Sequence, residues 1–94
     1  MKLKYVKESE VLKALAHPVR LQMVEIITSL RENECSVSTI QKKLGIPQST
    51  VSQHLQTLRN KGIIEGGKRG AVICYRVKDK YAKEIIKTLR KLYF

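Results

Sequence analysis

Apolar positions recur along this chain at helical spacing in several stretches and at strand spacing in one. Val11, Leu12 and Leu15 make a short apolar face behind Ser9, which can cap a first helix with Glu10 in its first turn. The chain then breaks at "AHP". Pro18 suits the first turn of a second helix, where its missing N–H costs nothing. Val19, Met23, Ile26 and Leu30 follow the helical period from there, joined by Val24 and Ile27, so this helix is expected to end near Arg31. "NECSV" is compatible with a brief strand or a loop. Ser38, with Gln41 three residues on, reads as a capping box for a short third helix that Gly45 ends after Leu44. Ile46 and Pro47 lead into a fourth helix, which Gly62 ends in the same way. "IIEGGKRGAVICYRV" holds two β-prone runs around "GGKRG", a hairpin with a glycine-rich, cationic tip. Past Asp79 a last helix carries Tyr81, Ala82, Ile85, Ile86, Leu89 and Leu92 in one stripe, with Lys80, Lys83, Lys87 and Lys91 outside it. The expected fold is mainly α with a small β-hairpin, as one domain over residues 1–94.

The fourth helix departs from ordinary surface chemistry. On a wheel of about 100° per residue, Leu55 and Leu58 fall within about 40° of Val51 and define its core face. Ser49, Gln53, Gln56 and Asn60 cluster on the opposite side, flanked by Ser52, Thr50 and Thr57. Solvent-facing helices favour Lys and Glu, which form helices better than Ser, Thr or Asn. Amides and hydroxyls both donate and accept, which is what reading base edges requires. A short helix, a turn containing glycine and a polar second helix make a helix-turn-helix, whose second helix enters the major groove. Gln48, Ser49, Thr50, Ser52, Gln53 and Gln56 are therefore the base-reading candidates.

Charge strengthens this reading. The 94-residue chain carries a net +11. Residues 1–40 hold six basic and five acidic side chains, and residues 41–94 hold thirteen and three. That asymmetry points to a polyanion (DNA, RNA or an anionic membrane face), whereas a basic surface kept for solubility need not be gathered beyond residue 40. Lys42, Lys43, Arg59, Lys61, Lys68 and Arg69 flank the motif as phosphate-contact candidates, with Arg69 in the hairpin, or wing, as the groove probe. The 5% aromatic share implies an aliphatic core, and no aromatic residue lies on the fourth helix, where an RNA reader would expose stacking rings. An RNA- or protein-binding module remains the alternative. No nucleophile–base pair, acid–base carboxylate pair or phosphate-cradling loop is present, so no catalysis and no cofactor are expected. "MKLKYVKESE" is too charged for a signal peptide and no apolar run approaches the roughly 20 residues of a membrane span, so a cytoplasmic location without membrane association is expected.

One helix-turn-helix reads few base pairs, so such domains dimerise on pseudo-palindromes. The last stripe runs out to Leu92, Tyr93 and Phe94 with little chain left to cover it. Leu12, Leu15, Ile85, Ile86, Leu89 and Leu92 are the expected homodimer contacts, from the first and last helices; the competing reading packs the last helix on its own core.

"LKALAHPVRLQMVEII" followed by "LGIPQSTVSQHLQTLRNKGIIEGGKRGAVICYRV" resembles the ArsR/SmtB family of bacterial winged-helix repressors from about Val11 to Val77. The resemblance implies a homodimeric winged helix-turn-helix repressor of double-stranded DNA, joined through its first and last helices. It also implies where metal would sit, and there the match fails. The positions of a Cys-x-Cys pair at the third helix are Ser36 and Ser38, and the last helix offers Asp79 and Glu84 but no histidine, so no metal is expected. His17 is expected to cap or pack. His54, about 60° off the core face, is expected at the groove boundary with a local hydrogen bond, and neither forms a cluster. In a winged helix, the segment before the third helix commonly lies beside the second wing strand, which brings Cys35 towards Cys74. The pair is read either as two reduced, buried thiols or as a disulfide formed under oxidation that shifts the wing and lowers DNA affinity.

Overall fold

Met23, Val24, Ile40, Val51, Leu58, Ile63 and Ala82 are entirely removed from solvent, and the elements are arranged around them. The structure is a computed structural model and describes residues 1–93. Phe94, placed by the sequence at the end of the last apolar stripe, lies outside the described residues. In chain order come α1 (Val6–Leu15), α2 (Pro18–Ser29), a single 3-10 turn (Glu32–Glu34), α3 (Val37–Leu44), α4 (Gln48–Asn60), β1 (Ile64–Arg69), β2 (Val72–Val77) and α5 (Lys80–Tyr93). The central element is α2, which packs against α1, α3, α4, α5 and β2. The buried cluster is aliphatic, with Tyr75 and Tyr81 only at its margin.

Helix ends follow the glycines. Gly45 has φ +69° and its N–H bonds the Gln41 carbonyl at 2.8 Å. At Gly62, φ is +71°, the Gly62 N–H reaches Arg59 O (3.0 Å) and the Ile63 N–H reaches Leu58 O (2.9 Å). This double closure is a Schellman motif, and burial of Ile63 beside Leu58 completes it.

The starts of α1 and α3 differ from the expected ones, whereas α2, α4 and α5 begin where the sequence places them. α1 begins at Val6, so Ser9 lies inside it and its hydroxyl donates to Val6 O at 2.8 Å. The cap of α3 is Ser36, whose Oγ accepts from the Thr39 N–H, rather than Ser38. Both serines fit the local pattern, and only the earlier start lets Val37 pack against the core beside buried Ile40. "NECSV" is neither free loop nor strand. Asn33 and Glu34 complete the 3-10 turn, Ser36 caps α3 and Val37 begins it, and between them the Cys35 carbonyl accepts one bond from the Tyr75 N–H at 2.9 Å. Among the described residues the sheet therefore has two strands, paired antiparallel with Ile64 opposite Val77 and Arg69 opposite Val72.

The hairpin tip is shorter than "GGKRG" implied. β1 continues through Arg69, and only Gly70 (φ +63°) and Ala71 turn the chain. Gly66 and Gly67 are strand residues. Gly66 lies opposite Tyr75, and a Cβ there would meet Ile73 Cγ2 at 2.9 Å and Tyr75 Cε1 at 3.2 Å, whereas nothing lies within 4 Å of one at Gly67. Gly66→Ala is expected to destabilise the protein by about 1–3 kcal/mol in thermal melts, and Gly67→Ala to be neutral or slightly stabilising.

Candidate nucleic-acid interface

The α3–α4 turn spans Gly45, Ile46 and Pro47, and the two helices pack directly on each other. Val51, Leu55 and Leu58 anchor α4 in the core. Their burial forces the other faces outward. Gln48, Ser49, Ser52, Gln53 and Gln56 are exposed, and Thr50 is half-buried. Gln56 Nε2 donates to Asn60 Oδ1 at 2.8 Å, which stiffens the outer ridge. Pro47 offers no side-chain cap, and the first turn of α4 carries no acidic residue. A cleft of about 140 Å³ lined by Val37, Ser52, Leu55, Gln56, Arg59 and Tyr75 joins this ridge to the start of α3 and to β2.

The flanking cations do not behave alike. Lys42, Lys43, Arg59 and Lys68 are exposed and, among the described residues, have no ion-pair partner. The Lys61 ammonium instead lies 4.0 Å from Glu10 on α1. Arg69, the expected groove probe, donates to the Glu32 carboxylate at 3.0 Å, so its guanidinium is held against the 3-10 turn. Cys35 and Cys74 are joined in a disulfide with Cα atoms 4.6 Å apart, within the span such a bond allows. The disulfide and the Glu32–Arg69 pair thus tie the same two segments together.

The expected dimer contacts divide. Leu15 (1% exposed) and Ile86 (3%) belong to this subunit's own core and have no surface to offer a partner. Both sit where α1 and α5 cross, and packing between those helices consumes them. Ile85 and Leu89 are half-buried, while Leu12 (51%) and Leu92 (77%) are open to solvent.

One constellation escaped sequence reasoning. His17 and His54 meet with ring centroids 4.5 Å apart. His17 does cap α2, its Nδ1 accepting from the Val19 N–H at 3.1 Å. The hydrogen bond of His54 is not local: its Nδ1 accepts from Arg20 Nε at 3.2 Å, and Arg20 Nη1 donates to the Ala14 carbonyl at 3.2 Å. Both Nδ1 atoms accept, and the bond from Arg20 needs the His54 ring neutral with its proton on Nε2. Burial, then the nearby His17 and Arg20, hold the His54 pKa below 6.5. The residues are separated by 34 positions or more from His54, beyond any local pattern. Among the described residues no group of three His, Cys, Asp or Glu is placed to hold a metal ion, and no helix is long and apolar enough to cross a membrane.

Known proteins share this fold. Residues 20–65 match the family model described as bacterial regulatory protein, arsR family. The Biofilm growth-associated repressor of Xylella fastidiosa is 36% identical over 85 residues, spanning 90% of this chain and 72% of that protein. HlyU of Vibrio cholerae, named a transcriptional activator, is 37% identical over 82 residues, spanning 87% and 73%. Its solved structure matches with a TM-score of 0.85 and 32% identity over 99% of this chain and 98% of that one. A homodimeric winged helix-turn-helix DNA-binding domain from Mycobacterium bovis matches with a TM-score of 0.77 and 25% identity, covering 93% and 78%. The chain belongs to the ArsR family of bacterial regulatory proteins, with α3 and α4 as its helix-turn-helix and β1–β2 as its wing.

Proposed function

We propose that this chain is a transcriptional repressor that binds duplex DNA as a homodimer on a pseudo-palindromic operator and loses affinity when Cys35 and Cys74 are oxidised. The observation that carries the reading is the outward ridge of Gln48, Ser49, Ser52, Gln53 and Gln56, opposite buried Val51, Leu55 and Leu58. Its hydroxyls and amides match the donor and acceptor pattern of the major groove, with Thr50 at its edge. Lys42, Lys43, Arg59 and Lys68 supply phosphate contacts. Lys61 contributes less, since Glu10 competes for it.

Exposed apolar surface supports the homodimer. Among the described residues Leu3, Tyr5, Val6 and Leu12 at the N-terminal end, and Leu92 and Tyr93 on α5, are all more than half exposed. α1 and α5 pack together, so these residues offer a self-complementary surface across a two-fold axis. Half-buried Ile85 and Leu89 extend it.

The disulfide supplies the response. Two thiols give up two protons and two electrons to a peroxide, which is reduced, and the Cys35–Cys74 bond forms. The bond holds the Glu32 turn beside the wing, where the Glu32 carboxylate neutralises Arg69 in competition with phosphate. Reduction releases the turn and returns Arg69 to DNA.

Fluorescence anisotropy on labelled duplex DNA and on RNA of the same sequence tests the reading. Preference for duplex DNA supports it, and equal or stronger RNA binding overturns it. Gln53→Ala should weaken operator binding by about 1–3 kcal/mol while sparing random DNA, whereas Lys68→Ala should weaken both and make the salt slope shallower by roughly 1. Leu12→Glu and Leu92→Glu should yield monomers in sedimentation velocity, while Leu15→Ala should lower stability by about 2–5 kcal/mol and leave the dimer intact. Peroxide should weaken wild-type binding and leave Cys74→Ser unchanged. Glu32→Gln should recover part of the loss, a few-fold at most, because the pair is exposed.

A further inference from the structure

Of the contacts made by α4, those through Val51, Leu55 and Leu58 are apolar and non-directional. They fix which face of the helix is buried, but oppose small rotations about its axis only weakly. Among the described residues, one side-chain hydrogen bond joins α4 to another element: Arg20 Nε to His54 Nδ1, at 3.2 Å. The same guanidinium takes up the Ala14 carbonyl in the last turn of α1, where backbone acceptors lack helical donors and a cation is favoured. One side chain of α2 thus spans from α1, which carries the exposed dimer residue Leu12, to the helix that carries the base-reading ridge. His17 at the corner closes the group from its other side, its ring 4.5 Å from that of His54.

We propose that Arg20 is a positioning residue for DNA recognition, a strut that fixes the rotation of α4 relative to α1 for as long as His54 is neutral. The role rests on the duplex-binding reading above and adds to it a proton-linked control of specificity. A protonated His54 turns its Nδ1 from acceptor to donor, so the bond from Arg20 is lost and two cations face each other. The titratable and charged groups that act on His54 are His17 from the α1–α2 corner and Arg20 from α2, and no carboxylate is among them. With its pKa lowered in the folded state, His54 takes up its proton in the unfolded chain first, so folded stability falls as pH drops below 6.5 towards the lowered value. For DNA the effect is selective. An added cation strengthens general phosphate attraction, while a loosened α4 reads bases less well, so the ratio of operator to random-DNA affinity falls.

The test measures that ratio in the reduced protein from pH 8 down to the pH at which the NMR shifts of the His54 ring show it protonated, for wild type, His54→Asn, His54→Leu and Arg20→Lys. Asn places a non-titrating acceptor where Nδ1 lies and leaves His17 in place. Wild type should lose roughly tenfold in the ratio on acidification. His54→Asn should keep the ratio at pH 8 and flatten its pH profile. His54→Leu and Arg20→Lys should give a low ratio at every pH, since Leu lacks the acceptor and an ammonium cannot span both partners. Circular dichroism establishes that each variant folds, and His54→Asn alone decides the matter if His54→Leu does not. A second measurement needs no DNA: the Arg20 Nε–H resonance of the free protein should be protected from exchange at neutral pH and lose protection as His54 titrates. An unprotected Nε–H at neutral pH overturns the strut itself. A wild-type protein that fails to discriminate at pH 8 while that resonance stays protected overturns the duplex-binding reading and the role built on it. A pH profile that is the same in wild type and His54→Asn overturns the proton-linked control.

Discussion

Burial of Val51, Leu55 and Leu58 decides where every other side chain of α4 points. Each contributes about 1.5–3 kcal/mol by leaving water, and together they fix the helix in one register against α2, α3 and β1. A register shift would bury Gln53 or Gln56 without partners and expose leucine, and both changes are costly. The outer ridge is therefore as well determined as the core beneath it. Its weak helix formers are tolerated because tertiary packing, rather than propensity, holds the helix.

The rest of the molecule connects that ridge to places where a signal can act. α2 touches every helix and the wing, so it lies between the α1–α5 end and α4. The disulfide with the Glu32–Arg69 pair bears on the wing, and the Arg20–His54 contact bears on α4 itself. These devices draw on different chemistry, thiol oxidation in one case and proton uptake in the other. In the proposed function the first acts on phosphate attraction by occupying a cation, and in the proposed role of Arg20 the second acts on base reading by releasing a helix.

Legibility in the sequence followed the range of the interaction concerned. Gly45 and Gly62 end their helices because a positive φ is a local demand, and both were readable as such. So was the amphipathic pattern of α4. The start of α3 was not, because the capping-box pattern singles out Ser38 with Gln41, while Ser36, an equally able N-cap, is selected by tertiary packing. "GGKRG" looked like a turn, yet Gly66 is a strand residue whose missing Cβ leaves room for Ile73 Cγ2 and the ring of Tyr75. Leu15 and Leu12 share one apolar stripe, and only the crossing with α5 assigns the first to the core and leaves the second outside. Cys35 and Cys74 came within reach through the resemblance to winged helices, whereas the meeting of His17, Arg20 and His54 left no mark in any local window.

Selection of bound sequences from a random duplex pool, with reduced protein at neutral pH, asks whether the ridge reads DNA in a two-fold assembly. Enrichment of an inverted repeat is expected, with half-site centres one helical turn of about 10–10.5 base pairs apart, or a multiple of it. A pool that stays unenriched while the protein retains every duplex alike would show that the cations bind and the ridge does not read.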